Sequence, residues 1–182
     1  MANKPFAHEL KKFDSTTIAA TRAAWVKELA AHKTEVLAAP YQRILDWAAG
    51  HIDYAGNGKE TFAYGIFAGE AHSADAIVEL VYTKSGRKWL KLLDLNLCPS
   101  VDLSFTDQNV DIQQLSSIFA AGVTGTVQLT STAHPAKVTK LYGRSGTLLA
   151  FLKGVGTYIE GNSNVPGLKV SMEGRWLVFQ VK

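Results

Sequence analysis

The chain has 182 residues, 47% hydrophobic and 19% charged, enough apolar surface to bury a core and too little charge for a disordered segment. Nineteen Lys and Arg against sixteen Asp and Glu give a net charge of +3 with no dense basic run, which argues against dedicated nucleic-acid binding but permits an anionic ligand. A single cysteine, Cys98, excludes a disulfide framework or a cysteine-rich zinc site within one chain.

Along the chain, residues 5–13 read as a short strand with Phe6, His8 and Leu10 on one face. Asp14 and Ser15 offer an N-cap to a helix whose stripe is Ile18, Trp25, Leu29, Val36 and Leu37, with a break near His32-Lys33-Thr34. Pro40 stops that helix or starts the next, which carries Tyr41, Leu45 and Ala48, or Ile44 and Trp47, inward and ends at Gly50. Three strands follow, at 61–69, 74–84 and 88–98, the last two joined by the polar turn Lys84-Ser85-Gly86-Arg87. They are read as consecutive and antiparallel.

Residues 109–121 predict a helix capped by Asn109 or Asp111, with Ile112, Leu115, Ile118 and Phe119 inward and Gly122 as its end. GTVQLTST (125–132) reads as a strand, and HPAKVTKLYGR (134–144) as a short helix with Pro135 in its first turn. TLLAFLKGVGTYI (147–159) is balanced between helix and strand. Its glycines and β-branched residues favour strand. LKVSMEGRWLVFQV (168–181) is a last strand with a bend or bulge at Glu173-Gly174. The fold class is α+β: a mixed, largely antiparallel sheet of about seven strands flanked by about four helices, in one domain over residues 1–182.

This order of elements resembles the GNAT family of N-acetyltransferases over nearly the whole chain. The local match is Pro135, Val138, Leu141, Tyr142, Gly143, Gly146 and Thr147, set against a family pattern of the type N-x-x-A-x-x-L-Y-E-x-x-G-F. The Leu-Tyr pair and the glycine four residues after the tyrosine agree; the Asn, Glu and Phe do not. The resemblance implies transfer of an acyl group from acetyl-CoA or another acyl-CoA to an amine of a small molecule or protein. It implies Tyr142 as the general acid that protonates the departing thiolate. It also implies that Leu95, Asn96 and Leu97, at the end of the fourth strand, hold the pantetheine arm by backbone hydrogen bonds. Glu79, a carboxylate among Ile77, Val78, Leu80 and Val81, is the candidate base that deprotonates the amine. Asp94 and Asn96 share a strand face and flank the same cleft.

The family's Q/R-x-x-G-x-G/A donor loop has no counterpart. Residues 98–115 lack glycine and carry Asp102, Asp107 and Asp111 where a diphosphate would sit. Ser100, Ser104, Thr106 and the exposed amides of this loop are the groups there that offer an anion a donor. The alternative is therefore a catalytically silent module of this architecture that binds a protein or nucleic-acid partner.

The remaining candidates read as structural. The five histidines are dispersed without metal-ligand spacing, so no metal is expected. His134 reads as an N-cap neighbour or exposed loop residue, and Cys98 as a buried, inert thiol. Trp89 with Arg87, Lys88 and Lys91 reads as a hairpin with solvated cations. The N-terminus has no apolar signal core, and no apolar run approaches the roughly 18 residues a spanning helix needs. The expected location is the cytoplasm, away from membranes.

Overall fold

The computed structural model describes residues 8–31, 38–53, 59–86, 88–104, 110–162 and 167–181. The first strand, β1 (His8–Lys12), leads into α1 (Ser15–Ala31). Asp14 caps α1: its Oδ1 accepts from the N–H of Thr17 at 2.7 Å. The second helix, α2 (Ala38–Ala49), carries Pro40 in its first turn, where a missing N–H costs nothing. Ile18, Trp25 and Leu29 of α1 and Tyr41, Leu45 and Ala48 of α2 are buried, as the stripes predict. Val36, Leu37, Phe6 and the expected break at 32–34 lie outside the described residues.

Next come β2 (Lys59–Ala68), β3 (Ala76–Thr83) and β4 (Trp89–Leu97), paired antiparallel in sequence with each other and with β1. A short α3 (Pro99–Ser104) precedes the long α4 (Ile112–Leu129). The chain closes with β5 (Val138–Tyr142), α5 (Gly146–Asn162), β6 (Leu168–Glu173) and β7 (Trp176–Val181). The sheet order is β1-β2-β3-β4-β5-β7-β6, and only β4 and β5 run parallel. This is the expected mixed, largely antiparallel seven-stranded sheet. Five helices flank it among the described residues, α3 being the addition.

Register sorts the side chains into two faces. Leu10, Ile66, Val78 and Leu95 share one, and α4 lies so close to it that a Cβ on Gly125 would meet Leu10 Cβ at 2.4 Å. On the same face, α5 sits over β6 and β7, with Gly156 against Leu177. Ala63, Gly65 and Phe67 belong to the other face. There Phe13 meets Phe67 edge-on and the α1–α2 pair packs down, with Trp25 Nε1 donating to Ala74 O at 2.8 Å. Among the described residues, no helix is long and apolar enough to cross a membrane.

The second half corrects five expectations. The helix does not stop at Gly122 but runs to Leu129, so 125–129 is helix rather than strand. HPAKVTKLYGR holds a strand at Val138–Tyr142 instead of a helix, because Val138, Thr139 and Leu141 are buried between two neighbouring strands. TLLAFLKGVGTYI is helical: Leu148 and Leu152 are fully buried four residues apart, with Phe151, Val155 and Ile159 packed on the core. Glu173-Gly174 is not a bend within one strand but a hairpin turn between β6 and β7, with Gly174 at φ +62°. Ile112 was expected inward, yet it is 73% exposed at the start of α4.

A candidate acyl-transfer site at the fork between β4 and β5

The parallel ladder between β4 and β5 spans only Trp89–Leu92 and Val138–Leu141. Beyond it β4 continues through Leu97 while paired to β3, and among the described residues no strand pairs with it on the β5 side. The two strands fork, and the carboxyl end of a parallel pair with diverging connections is where open sheets accept ligands. A bulge sharpens the fork. Glu79 pairs with Asp94 and Leu80 with Leu92, so Leu93 is the extra residue of β4.

The bulge puts Asp94 and Asn96 on the face of Glu79, as the sequence suggested, with Leu95 and Leu97 on the opposite face. Arg144, two residues past the end of β5, reaches across the fork, and its Nη1 donates to Asp94 Oδ2 at 2.8 Å. Burial first, and the neighbouring Asp94 carboxylate second, push the Glu79 carboxyl above the ordinary glutamate value, opposed by Arg144 and His51. A half-buried carboxyl whose proton affinity is raised by burial and a neighbouring carboxylate, set at a sheet opening, suits a general base. Asn96 adds a further polar group: its Nδ2 is buried with no hydrogen-bond partner among the described residues.

Tyr142 stands on the same face as Glu79, at the end of β5 rather than on a helix. With strands about 4.8 Å apart, β3 and β5 are roughly 10 Å from one another across β4. The Tyr142 ring lies 4.8 Å from that of Trp176, its partner on β7, and the Arg175 guanidinium is 5.8 Å from its centroid. Arg175 also ties the β6–β7 turn to the fork: its Nε donates to Gly143 O at 2.9 Å. Arg144, Arg175 and His51 escaped the sequence reading. Only the charge of Arg144 beside the Leu-Tyr pair hinted at a role.

The carboxylate of Asp111 caps α4 by accepting from the N–H groups of Gln113 and Gln114 at 2.9 and 3.0 Å. Asp102 Oδ2 accepts from Tyr41 OH at 2.6 Å, and Ser104 Oγ donates to Val101 O at 2.6 Å. Thr106 and Asp107 lie outside the described residues. These groups do not fit the diphosphate of coenzyme A, because its donors are taken and carboxylates stand in their place. On the free edge of β4 the Leu95 N–H already donates to Asp94 Oδ1 at 3.0 Å, so an amide-bearing arm that adds to Leu95–Leu97 as a strand would has to displace that carboxylate.

The other sequence candidates are structural. His134 is not a loop residue at the surface but 5% exposed, ringed by Phe62, Tyr64 and Tyr82. Its Nε2 is 3.0 Å from Tyr64 OH, and burial holds its pKa below the usual histidine value, helped by Lys12 and Lys84. Burial pushes the Cys98 thiol up to about 11, which leaves it unreactive at neutral pH. Lys91 and Lys140 lie over the Trp89 ring at 4.9 and 4.7 Å.

No family model matches the chain, and no curated protein matches it. Among solved structures, it is similar to an acetyltransferase from Streptococcus agalactiae 2603, at 11% identity and a TM-score of 0.41, over 97% of this chain and 99% of that one. It is also similar to an acetyltransferase of the GNAT family from Staphylococcus aureus Mu50, at 8% identity and a TM-score of 0.38, over 97% of this chain and 100% of that one.

Proposed function

We propose that the protein transfers an acyl group from a thioester to an amine at the fork between β4 and β5. The observation that supports this most is the Glu79 carboxyl, raised in pKa and set beside Asp94 at the opening of the sheet. An ammonium ion cannot attack a carbonyl, so Glu79 takes its proton, directly or through a water. Asp94, held by Arg144, adds negative charge that favours a cationic acceptor, whether a small amine or a protein lysine. The edge of β4 at Leu95–Leu97 receives the arm of the thioester. Tyr142 is the acid that returns a proton to the departing sulfur.

The closed N-terminus of α4 bears on the donor. An acyl-CoA would bring its diphosphate against Asp111, whereas a thioester that ends at the pantetheine arm would not. The experiment measures thiol release from acetyl-CoA and from a short acetyl thioester without a nucleotide. Both are offered a panel of amines: a polyamine, free amino acids and a lysine peptide. Turnover is expected with the short thioester, at a rate the nucleotide does not improve. Glu79→Gln should lower it roughly 100-fold, the usual weight of a general base. Tyr142→Phe should lower kcat and leave the donor KM unchanged. Amine-independent background with both donors would overturn the reading.

A further inference from the structure

On the opposite face of the sheet from Glu79, three side chains from separate elements form one hydrogen-bonded chain. His8 of β1 has its Nε2 2.9 Å from Asp75 Oδ2, in the turn before β3, and its Nδ1 2.8 Å from Ser117 Oγ on α4. His8 is only 7% exposed. Its tautomer follows from its partners. A carboxylate only accepts, so Nε2 carries the proton and donates to Asp75. In the neutral imidazole Nδ1 is then the acceptor, and the Ser117 hydroxyl donates to it. This is the carboxylate–imidazole–hydroxyl order that turns a serine into a nucleophile, with the two ring nitrogens exchanged.

The chain opens onto a cavity. His8 and Ser117 line a groove of about 1700 Å³ that runs between α4 and α5, walled by apolar side chains such as Val123, Val127, Phe151 and Val155. Gln113 and Gln114, one turn before Ser117 on α4, line the same groove. Residues three and four apart share a helix face, so their side-chain amides can donate to an oxyanion beside Ser117 Oγ.

We propose that Ser117 is the nucleophile of a second site, which cleaves esters with an apolar acyl chain. Ser117 Oγ bonds to the carbonyl carbon while its proton passes to His8 Nδ1, and the side-chain amides of Gln113 and Gln114 meet the oxyanion. The carbon–oxygen bond to the leaving alcohol then breaks, and that alcohol departs with the proton from His8. Water, deprotonated by His8, releases the acid and restores the serine. Asp75 is a positioning residue that fixes the tautomer. Site and substrate are separate from the fork, so failure of one reading leaves the other standing.

The test treats the full-length protein with an alkyl fluorophosphonate, which loses fluoride to an activated serine, and maps the adduct by peptide mass. p-Nitrophenyl esters from acetate to decanoate are hydrolysed in parallel. The adduct is expected on Ser117, and kcat/KM is expected to rise with chain length as the groove fills. Ser117→Ala should abolish labelling, and His8→Gln should slow it roughly 100-fold, the scale of a lost general base. Asp75→Asn should lower kcat and leave KM in place. The wild-type adduct map requires no variant to fold. No adduct at Ser117, or wild-type ester hydrolysis by a folded Ser117→Ala protein, would overturn the proposal and leave the three residues as a clip between β1 and α4.

Discussion

Gly125 in α4 and Gly154 in α5 should respond to alanine with opposite signs. In an exposed helix, glycine to alanine stabilises by roughly 0.5–1 kcal/mol, because glycine loses more backbone freedom on folding. Gly154 is of that kind: a Cβ there meets nothing within 4 Å. At Gly125 the same atom would sit 2.4 Å from Leu10 Cβ and 2.9 Å from its Cδ2. Carbon atoms rest at about 3.5–4.0 Å, so the deficit exceeds roughly 1 Å. It falls on a Cβ, which moves only with the β1 backbone. Overpacking of this severity costs about 1–3 kcal/mol, and the upper part of that range applies. After the helical gain, Gly125→Ala should lose about 2 kcal/mol. For a chain of this size that is a fall in Tm of roughly 4–8 °C. Gly154→Ala should gain roughly 1–4 °C by the same conversion. Urea titration at constant m checks both. Leu10→Ala keeps the 2.4 Å contact, so the double variant should not be restored. A Gly125→Ala protein as stable as the wild type would mean that α4 does not rest on β1 at this distance.

Three further outcomes follow from charge. Because its pKa is raised on folding, Glu79 binds protons more readily in the native state, so its ionisation costs stability as pH rises above the ordinary glutamate value. Glu79→Gln should therefore raise the urea midpoint at pH 7, with the gain vanishing below about pH 4. For His134 the folded pKa is lowered, so stability is intact above the unfolded histidine value of about 6.5 and falls as pH drops below it; an imidazole that titrates in the native protein at the ordinary value, followed by NMR, would refute this. At the cap of α4, Asp111→Ala should cost about 1 kcal/mol, while Asp111→Asn should keep stability within a few tenths. If charge at that cap repels a diphosphate, Asp111→Asn should bind acetyl-CoA more tightly in calorimetry, and unchanged affinity would count against it.

The sequence reading recovered the order of elements while misplacing several of them, and the reason is physical. Strands β2 to β4 alternate or run apolar between clear turns, and their neighbours in the sheet are their neighbours in the chain. From Gly122 onward, local preference and tertiary demand part. Glycine ends a helix by propensity, yet Gly122 and Gly125 are where α4 meets Leu95 and Leu10, contacts a sequence does not display. Losing the end of α4 shifted each later assignment by one element: strand for helix at 125–129, helix for strand at 138–142. Splitting 168–181 at Gly174 returns the count to seven strands. The site shows the same division. Glu79, Asp94 and Asn96 were visible as polar residues in apolar strands. The bulge at Leu93 that aligns them, and Arg144 reaching back to Asp94, depend on pairing between distant segments.

The short β4–β5 ladder also governs how the molecule assembles and comes apart. On either side of it lie two antiparallel plates, β1–β4 and β5–β7–β6, whose strands are paired along their length. The residues from Cys98 to Lys137, α3 and α4 included, must be looped before Trp89 can find Val138, and such closure is slow. The plates should form first and the seam between them last. In native-state hydrogen exchange, the amides bonded across the β4–β5 seam are then expected to open together below the global free energy while those of β3 stay closed. A seam of four residue pairs makes the fork a place where the sheet can widen without unfolding either plate.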